Sequence, residues 1–545
     1  MPSIRDRLEV LSDTVQAIRV LQKAGALDIT KPGEVVKASK RAKSIGAPAA
    51  VIMHGAEEHP DAPALTDERG TVTFGDLDRA SNALANDLLG LGLSPGSVIG
   101  VLARDHRGLL TVMSAAGRAG LRLVMMNTGF GKTQFAEVAE REGVAAMFYD
   151  EEFTDLLDAL PDDMPRCLTW VDGNRPVPDG VRILDDVIDG GNTTAPPMPA
   201  ELGGLVILTS GTTGLPKGAR RGKFSPFTSA LLLDRVPIPH DGTMVIVSPI
   251  FHSTGFAVWG VGTALGNKTV VMRRFDAEKT LAALAEHRAE TLVAVPTMLH
   301  RMLALGPEVL AKYDTSALKI IVIAGSALSP TLSEAVQDAF GDVLYNMYGS
   351  TEVAIAAIAQ PHELRRAPGT VGRPPVSSHL ALFDQNDRRI TEKNVRGRLF
   401  VRNGAPFEGY TDGRNKQILE GYMSTGDMGR FDADGLLFIE GRDDDMIVSG
   451  GENVYPLEVE NLLAEHPDVA DVAVVGVDDE EFGTRLRAFI VRAEDTDPQV
   501  DDIKTHVRSH LARYKVPRDV VFIDELPRNA TGKLVRRQLP TGPLT

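Results

Sequence analysis

The segment Ile207-Leu-Thr-Ser-Gly-Thr-Thr-Gly-Leu-Pro-Lys-Gly218 combines hydroxyls, glycines and one lysine directly after a short apolar run. Glycines let a backbone approach an anion closely, and successive backbone N–H groups form an anion-binding concavity. The segment therefore predicts a phosphate-binding loop made by Thr209, Ser210, Gly211, Thr212, Thr213, Gly214 and Lys217. It is not a P-loop, because Gly218 stands where G-x-x-x-x-G-K-[ST] has a hydroxyl. The alternative is a Ser/Thr/Gly linker.

Further motifs follow this loop along the chain. They are Tyr348-Gly-Ser-Thr-Glu352, Ser424-Thr-Gly-Asp427, Gly441-Arg-Asp-Asp-Asp445 and Pro527-Arg-Asn-Ala-Thr-Gly-Lys533. In this order they resemble the adenylate-forming superfamily, which includes acyl-CoA synthetases, adenylation domains of peptide synthetases and firefly luciferase. The resemblance covers residues 57–537, and within the superfamily the chain resembles actinobacterial fatty-acid CoA ligases.

Composition limits the classes of protein to which the chain can belong. Its 545 residues are too many for one hydrophobic core, so three or four structural units are expected. A net charge of −16 argues against general nucleic-acid binding. The single cysteine, Cys167, excludes an internal disulfide framework and a cysteine-based zinc site. Any thioester chemistry therefore needs a thiol on a substrate or a partner.

Short apolar runs alternate with helical patterns twice along the chain, which is typical of parallel sheets covered by helices. The first series of runs is 98–102, 121–125, 146–149 and 167–171, and the second is 205–208, 244–247, 269–272, 292–295 and 320–323. Residues 370–440 change to short strands with Gly/Asp/Asn turns, which predicts an antiparallel sheet or small barrel. Strands at 472–475 and 488–491 lie in a compact C-terminal tail.

The predicted fold class is therefore α/β, with two α/β subdomains and a small antiparallel β-barrel in a large N-terminal domain. The resemblance adds that the following α+β C-terminal domain is mobile. We predict an N-terminal extension over residues 1–45, an adenylate-forming domain over 46–443 and the C-terminal domain over 444–545.

The resemblance implies that a carboxylate attacks the α-phosphate of ATP, so that AMP becomes the leaving group, and that the acyl group then passes to coenzyme A. Such a displacement mainly requires positioning and charge neutralisation. Thr351 would contact the α-phosphate, and Glu352 would coordinate Mg²⁺, which prefers oxygen ligands. Ribose would bind Asp427 and Arg442, and adenine would bind Tyr348, Gly349, Gly325, Ser326 and Ala327. Taken as isolated residues, Glu352 is better explained as a helix cap and Asp427 as a turn residue.

The resemblance also assigns roles in the C-terminal domain. Lys533 would enter the site to contact the α-phosphate and the carboxylate, although a lysine near a C-terminus is usually exposed. For the second step the domain would rotate about Asp444, and Gly450 and Gly451 would border a narrow tunnel for the pantetheine arm of coenzyme A. Asp443–Asp445 without this context would be a solvated acidic turn.

The acyl-binding side of the site is predicted from the segment Pro249-Ile-Phe-His-Ser-Thr-Gly255. His252 would lie between the ATP site and the acyl pocket, or it is a hydrogen-bonded core histidine. Phe256, Val258 and Trp259 are predicted to line the pocket, where no acidic or amide residue is present to bind a substrate ammonium. We therefore predict an AMP-forming ligase for medium- or long-chain fatty acids. The alternatives are a fatty acyl-AMP ligase that loads a carrier protein, and a synthetase for an aryl, branched or steroid carboxylate.

The N-terminal extension lies outside the resemblance. Ile4, Leu8, Leu11, Val15, Ile18 and Leu21 recur at spacings of three and four, which predicts an amphipathic helix over residues 4–22. Residues 1–45 hold nine basic and five acidic residues, a net of +4. This pattern suits either peripheral contact with an anionic membrane or packing on the protein's own body or a dimer partner. Residues 1–7 lack a signal-peptide core, no apolar stretch reaches membrane-spanning length, and the cytoplasm is the predicted location.

Overall fold

A computed structural model describes residues 4–209, 216–221, 228–405, 407–443, 445–449, 452–479, 483–529 and 532–541. Its N-terminal extension forms α1 (Ile4–Lys23) and α2 (Pro32–Glu58). The following segment contains β1 (Pro63–Asp67), β2 (Gly70–Thr73), α3 (Phe74–Gly90), β3 (Val98–Leu102), α4 (Arg107–Arg118), β4 (Arg122–Met125), α5 (Lys132–Glu142), β5 (Val144–Asp150), α6 (Thr154–Leu157), β6 (Arg166–Trp170), β7 (Arg182–Ile183), α7 (Leu184–Asp189), β8 (Leu205–Thr209) and β9 (Lys217–Arg221).

The middle of the chain continues the alternation of strands and helices. It contains α8 (Thr228–Leu233), β10 (Thr243–Ile246), α9 (Ser253–Ala264), β11 (Lys268–Val271), α10 (Ala277–Glu286), β12 (Thr291–Ala294), α11 (Pro296–Leu303), α12 (Pro307–Leu310), β13 (Ile320–Ile323), α13 (Pro330–Phe340), β14 (Leu344–Ser350), β15 (Ala354–Ala359) and α14 (Pro361–Arg366). The short strands that follow are β16 (Ser378–Phe383), β17 (Arg389–Ile390), β18 (Gly397–Asn403), β19 (Ile418–Leu419), β20 (Tyr422–Phe431) and β21 (Leu437–Arg442).

The C-terminal domain packs helices against a small sheet. Its elements are β22 (Ile447–Ser449), β23 (Glu452–Val454), α15 (Pro456–Leu463), β24 (Val469–Asp479), β25 (Gly483–Arg492), α16 (Val500–His510) and β26 (Asp519–Phe522). Strands β24, β25 and β26 form one three-stranded sheet, and β22 pairs with β23.

Two mostly parallel sheets form the large domain, as predicted. The first has the order β7-β6-β5-β3-β4-β8-β9, and the second has the order β15-β14-β13-β12-β10-β11-β1-β2. The assignment of the 205–208 run to the second series is wrong, because Leu205 of β8 pairs with Leu123 of β4 in the first sheet. The second sheet is instead extended by β1, where Leu65 pairs with Thr269. Apolar runs predict where the strands lie, but their periodicity does not indicate the sheet to which each strand belongs.

The third sheet lies beside these two and carries part of the site. Its order is β17-β16-β18-β20-β19, with β21 paired to β20, and the pairings are antiparallel. The predicted fold class is confirmed. A core cluster joins the first two sheets, since Val101 and Phe148 belong to the same cluster as Met244 and Val322.

Helix α1 packs on the protein's own body through its C-terminal half. Ala17 and Leu21 are buried in the main core. Leu8, Leu11 and Val15 of the predicted apolar stripe are instead 62%, 60% and 40% exposed. The stripe is therefore buried at one end only. None of the helices within the described ranges has the length and hydropathy needed to cross a membrane.

Polar contacts explain the orientation of α1. Ser377 Oγ donates to the backbone carbonyl of Asp13 at 3.2 Å, and the Asp13 carboxylate lies 2.9 Å from His379 Nε2. Glu9 accepts a hydrogen bond from Arg402 at 2.5 Å. The acidic side of α1 therefore faces the third sheet, and this turns Leu8 and Leu11 towards solvent.

Candidate active site

A cavity of about 1250 Å³ lies at the carboxyl ends of strands from both parallel sheets. Leu208 of β8, Gly325 after β13 and Ser350 of β14 line it, and so does His252, which precedes α9. Open α/β sheets bind ligands at this edge, because the turns after parallel strands diverge there and leave a crevice. The cavity is therefore the candidate active site.

Most of the predicted site residues that the structure describes meet at this cavity. Those on its wall are Lys217, His252, Phe256, Trp259, Gly325, Gly349, Thr351, Glu352, Arg442 and Lys533. They come from both parallel sheets, the third sheet and the C-terminal domain. Lys533 is therefore not a solvent-facing lysine, because it shares one cavity with Glu352.

Five other predicted residues do not line the cavity. Ser326 and Ala327 continue the loop that begins at Gly325, and Tyr348 and Asp427 contact each other behind the wall. Val258 does not line it either, because it is fully buried in the main core. Two residues along a helix lie on nearly opposite sides, so the wall formed by α9 takes Phe256 and leaves Val258 for the core.

Several predicted residues lie outside the described part of the chain. Thr209 ends β8, where its backbone pairs with that of Lys217. The predicted phosphate-binding loop residues Ser210, Gly211, Thr212, Thr213 and Gly214 lie outside the described residues. The predicted hinge residue Asp444 and the predicted tunnel residues Gly450 and Gly451 lie outside them as well.

Glu352 is a buried carboxylate held in its charged form. Tyr410 Oη donates to Glu352 Oε1 at 2.5 Å, and Glu352 N donates to Ser350 Oγ at 3.2 Å. Burial acts to raise the pKa of Glu352, but hydrogen bonds from the Tyr410 and Ser350 side chains and the charge of Lys416 outweigh it, and the pKa is lowered. A charged carboxylate in a phosphate site fits a magnesium ion, which commonly takes one or two carboxylates plus substrate phosphates. Among the described residues, no cluster of three or more candidate ligands competes with it.

Asp427 and Arg442 face each other across neighbouring strands. Their Cα atoms are register partners in β20 and β21, and Arg442 Nη1 lies 3.6 Å from Asp427 Oδ1. The Tyr348 hydroxyl donates to the Asp427 carboxylate. Burial raises the pKa of Asp427, against the hydrogen bond from Tyr348 and the charges of Arg442 and Lys416. The arrangement holds an acceptor and a guanidinium side by side, as recognition of a ribose diol requires.

Two residues that the motifs did not indicate belong to this end of the cavity. Tyr410 orients Glu352, and its ring centroid lies 5.0 Å from Lys217 Nζ. Lys416 lines the cavity, and its Nζ donates to the Thr425 carbonyl at 3.4 Å. Lys416 lies in the turn-rich segment between β18 and β19, where no spacing marks it in the sequence. With Lys217, Lys416 gives this end the positive charge that a polyphosphate requires.

His252 lies on the cavity wall as a neutral imidazole. Burial lowers its pKa to about 3, and its Nε2 is buried without a hydrogen-bond partner among the residues that the structure describes. Its ring packs against Phe251 with a centroid distance of 4.3 Å. Within the described residues, Nε2 therefore lacks the partner that a hydrogen-bonded core histidine would have.

Asp105 supports this wall from the first sheet. Its two carboxylate oxygens accept the backbone N–H of Ile250 at 3.0 and 3.2 Å, two residues before His252. Burial raises the pKa of Asp105 to about 7, against the hydrogen bond from Ile250 and the charge of Arg104. No sequence pattern marks Asp105, because its partner lies 145 positions away.

Asp105→Asn is expected to become more stable relative to the wild type as pH rises. Between pH 3.8 and about 7 the folded wild type keeps a proton that the unfolded chain has lost, so stability falls as pH rises through this window. Asparagine does not titrate and keeps an acceptor for Ile250. The difference in thermal midpoint, variant minus wild type, should increase by a few degrees between pH 5 and pH 8. Asp61→Asn, at an exposed site, should show no such trend, and a constant difference for Asp105→Asn would contradict the assignment.

Comparison with known proteins agrees with this geometry. The family model described as "AMP-binding enzyme" matches residues 52–411, and the model "AMP-binding enzyme C-terminal domain" matches residues 458–533. The chain belongs to the AMP-binding enzyme family. This membership confirms the adenylate-forming superfamily, and with it the prediction of ATP, Mg²⁺ and coenzyme A as the small molecules of the reaction.

Relatives of the AMP-binding enzyme span almost its whole length. A 2-succinylbenzoate–CoA ligase of Geobacillus sp. (strain WCH70) is 29% identical over 503 residues, 90% of this chain and 96% of the relative. A fatty acid–[acyl-carrier-protein] ligase, ScoC, of Streptomyces coeruleorubidus is 30% identical over 497 residues, 89% and 94% of the two chains. The solved o-succinylbenzoate CoA synthetase from Bacillus subtilis, in complex with its acyl-adenylate intermediate, superposes with a TM-score of 0.76 at 25% identity over 91% and 99% of the chains. An AMP-forming acid–CoA ligase is therefore supported.

Proposed function

We propose that this AMP-binding enzyme adenylates a medium- or long-chain fatty acid and transfers the acyl group to coenzyme A. The observation that carries this is the extent of the cavity, whose wall includes Glu352 and Lys533 and residues of α9 as far as Ala264. The 12 residues of α9 extend over about 18 Å. One leaflet of a bilayer, the thickness of one acyl tail, is about 15 Å of hydrocarbon.

The names of the relatives favour the alternative substrates and acceptor. One relative is a ligase of 2-succinylbenzoate, which is an aryl carboxylate, and another joins a fatty acid to a carrier protein. An aryl acid would occupy the part of the cavity beside His252, Phe256 and Trp259. The second candidate function is therefore ligation of an aryl carboxylate, or of a fatty acid to a carrier protein.

The residue roles that accompany the proposal are positioning and charge neutralisation. Lys533 would bind the reacting carboxylate and the α-phosphate, and Thr351 would donate to the same phosphate. Asp427 and Arg442 would hold the ribose, while the loop from Gly325 to Ala327 would border adenine. Glu352 would hold Mg²⁺, which would neutralise charge on the phosphates. Lys217 and Lys416 would hold the far end of the polyphosphate.

The second half-reaction would need a different face of the C-terminal domain. Lys533 has to leave before a thiol can reach the acyl carbon. We propose Asp444 as the pivot and Gly450 and Gly451 as the border of the pantetheine tunnel, by similarity to the superfamily. Hinge positions absorb large backbone changes, and aspartate tolerates unusual dihedral angles.

One assay separates the candidates. Pyrophosphate release is measured over a panel of saturated fatty acids from hexanoate to octadecanoate, 2-succinylbenzoate, benzoate and phenylacetate. Thioester formation is measured with coenzyme A and with a phosphopantetheinylated carrier protein. The proposal expects the highest kcat/KM for an acid of ten or more carbons with coenzyme A. A higher value for an aryl acid, or a thioester with the carrier protein alone, would replace it by the second candidate.

We also propose that the exposed part of α1 contacts an anionic membrane. Leu8 and Leu11 are exposed on an extension whose net charge is +4, on a protein of net charge −16. An apolar face beside basic residues binds an interface rich in anionic lipid. Leu8→Glu/Leu11→Glu should lose co-sedimentation with phosphatidylglycerol vesicles at low salt. Met198→Glu, which changes a side chain that is 55% exposed elsewhere, should retain it. Equal binding by both variants, or a change of oligomeric state in place of vesicle binding, would overturn the proposal.

A further inference from the structure

We infer that the described part of the N-terminal extension, residues 4–45, forms the outer wall of the acyl channel and sets the acyl-chain length up to which added methylenes still increase kcat/KM. The inference rests on the proposed function for the reaction itself. It adds a specificity element in a part of the chain that precedes the family model, which begins at residue 52.

The extension lines the same cavity as the catalytic end. Leu21 of α1, Leu27 of the connecting loop, and Val35, Ala42 and Ile45 of α2 are on the wall. Helix α2 packs directly against α9, and Phe256 and Trp259 of α9 also line the cavity. The cavity is therefore lined both by α9 of the family core and by the part of α2 that precedes the family model.

The position of α2 in this wall is set by close backbone packing against α4. A Cβ atom on Gly117 of α4 would lie 2.1 Å from the backbone carbonyl oxygen of Ile45, so only glycine admits α2 this closely. Gly46, which follows Ile45 in the chain, has a φ of 78° and bends α2 at this point. The close approach at Gly117 and the bend at Gly46 together set the direction of the first half of α2.

The loop after α1 lies at the far end of α9. His240 Nε2 is 2.5 Å from the Ala24 carbonyl oxygen, and the next residue, Asp241, donates its N–H to the Leu265 carbonyl at 3.0 Å. Leu265 directly follows α9, so the loop that begins at Ala24 lies beside the end of that helix. The channel thus ends at the extension, and not within the family core.

The far end opens to solvent. Ile29 and Val36 line the cavity and are nevertheless 49% and 67% exposed. The charged residue Arg41 also lines it, but its guanidinium is paired with Glu57 at 2.5 Å. Lys43, which is exposed, also borders this part of the cavity. The other side chains named here are apolar, which suits the methyl end of a long acyl chain that protrudes at Ile29 and Val36.

This geometry gives chain length a physical basis. A short acid fills the channel only as far as Phe256 and Trp259, whereas further methylenes contact the extension. Each methylene that becomes buried is expected to increase kcat/KM about fourfold until the tail reaches the opening. Residues of the extension should therefore affect long acids and leave short acids unchanged.

The test uses bulky substitutions in the full-length protein. Ala42→Trp and Ala38→Trp place an indole in the channel at a half-buried and an exposed position of α2, and Lys40→Trp is the matched control on the same helix away from the cavity. Pyrophosphate release is measured with hexanoate and hexadecanoate. We expect kcat/KM for hexadecanoate to fall about 50-fold in either channel variant, as loss of about three buried methylenes implies, with hexanoate within about threefold. Lys40→Trp should match the wild type with both acids.

Two results would overturn the inference. One is an equal loss for hexanoate and hexadecanoate in a channel variant whose thermal midpoint is that of the wild type. The other is unchanged chain-length dependence in both channel variants. If the wild type adenylates only aryl acids, the proposed function fails instead, and the panel above shows this separately. Ala38→Trp keeps the test available if the half-buried Ala42→Trp fails to fold.

Discussion

Lys533→Ala is expected to slow acyl-adenylate formation by about 10²–10³-fold, the usual effect of losing one positioned donor at a developing charge. Lys533 lines the cavity together with Glu352 and Thr351, and its proposed role is to stabilise the charge that develops between carboxylate and α-phosphate. Pyrophosphate release under single-turnover conditions measures this step. Thioester formation from supplied acyl-AMP should be largely retained, because the lysine has no role in the attack by the thiol.

The control for this variant is Arg537→Ala, which removes an exposed positive charge four residues further along the chain. It should leave both half-reactions within about twofold of the wild type, as surface charges contribute little. If Lys533→Ala slows both half-reactions equally while the fold is intact, the lysine is not specific to adenylation.

Glu352→Gln is expected to lower adenylation about 10²-fold and to raise the Mg²⁺ concentration needed for half-maximal rate. Glutamine keeps the shape and can still accept from Tyr410, but it removes the negative charge that the surroundings of Glu352 stabilise. A neutral amide is a much weaker ligand for a hard divalent ion than a carboxylate. Single-turnover pyrophosphate release over a Mg²⁺ titration measures both effects.

Tyr410→Phe is the matched control, since it removes the hydrogen bond to Glu352 and leaves the charge. One lost hydrogen bond to a charged group is expected to change the rate by roughly tenfold, with little change in the Mg²⁺ requirement. A Glu352→Gln variant with the Mg²⁺ dependence of the wild type would show that Glu352 is not the ligand.

Much of the fold could be predicted because each strand of a buried parallel sheet is a short apolar run between helical patterns. The run at 98–102 is β3, and the run at 320–323 is β13. Membership of a sheet could not be predicted in the same way. Leu205 of β8 and Leu65 of β1 lie in sheets that their position along the chain does not indicate, because the pairing is decided by packing of whole layers.

For the site residues, too, the prediction succeeded where the signal is local in the sequence and failed where it is not. Residues inside dense motifs, such as Glu352 and Lys533, line the cavity of the candidate active site. Asp105 was missed because its partner Ile250 is distant in sequence, and Lys416 was missed because it lies in a turn-rich segment where no spacing marks it. The orientation of α1 was also missed, since its polar contacts with His379 and Arg402 outweigh the apolar stripe that the sequence shows.

The contacts of α1 have a consequence for the order in which the protein is made. Asp13 meets Ser377 and His379, and Glu9 meets Arg402, across 364, 366 and 393 positions of sequence. At a synthesis rate of about 5–20 residues per second, these partners emerge roughly 20–80 s after α1. During that interval these polar contacts cannot form, so the N-terminal half of α1, with Leu8 and Leu11, is held by none of them and is accessible to chaperones or to a bilayer.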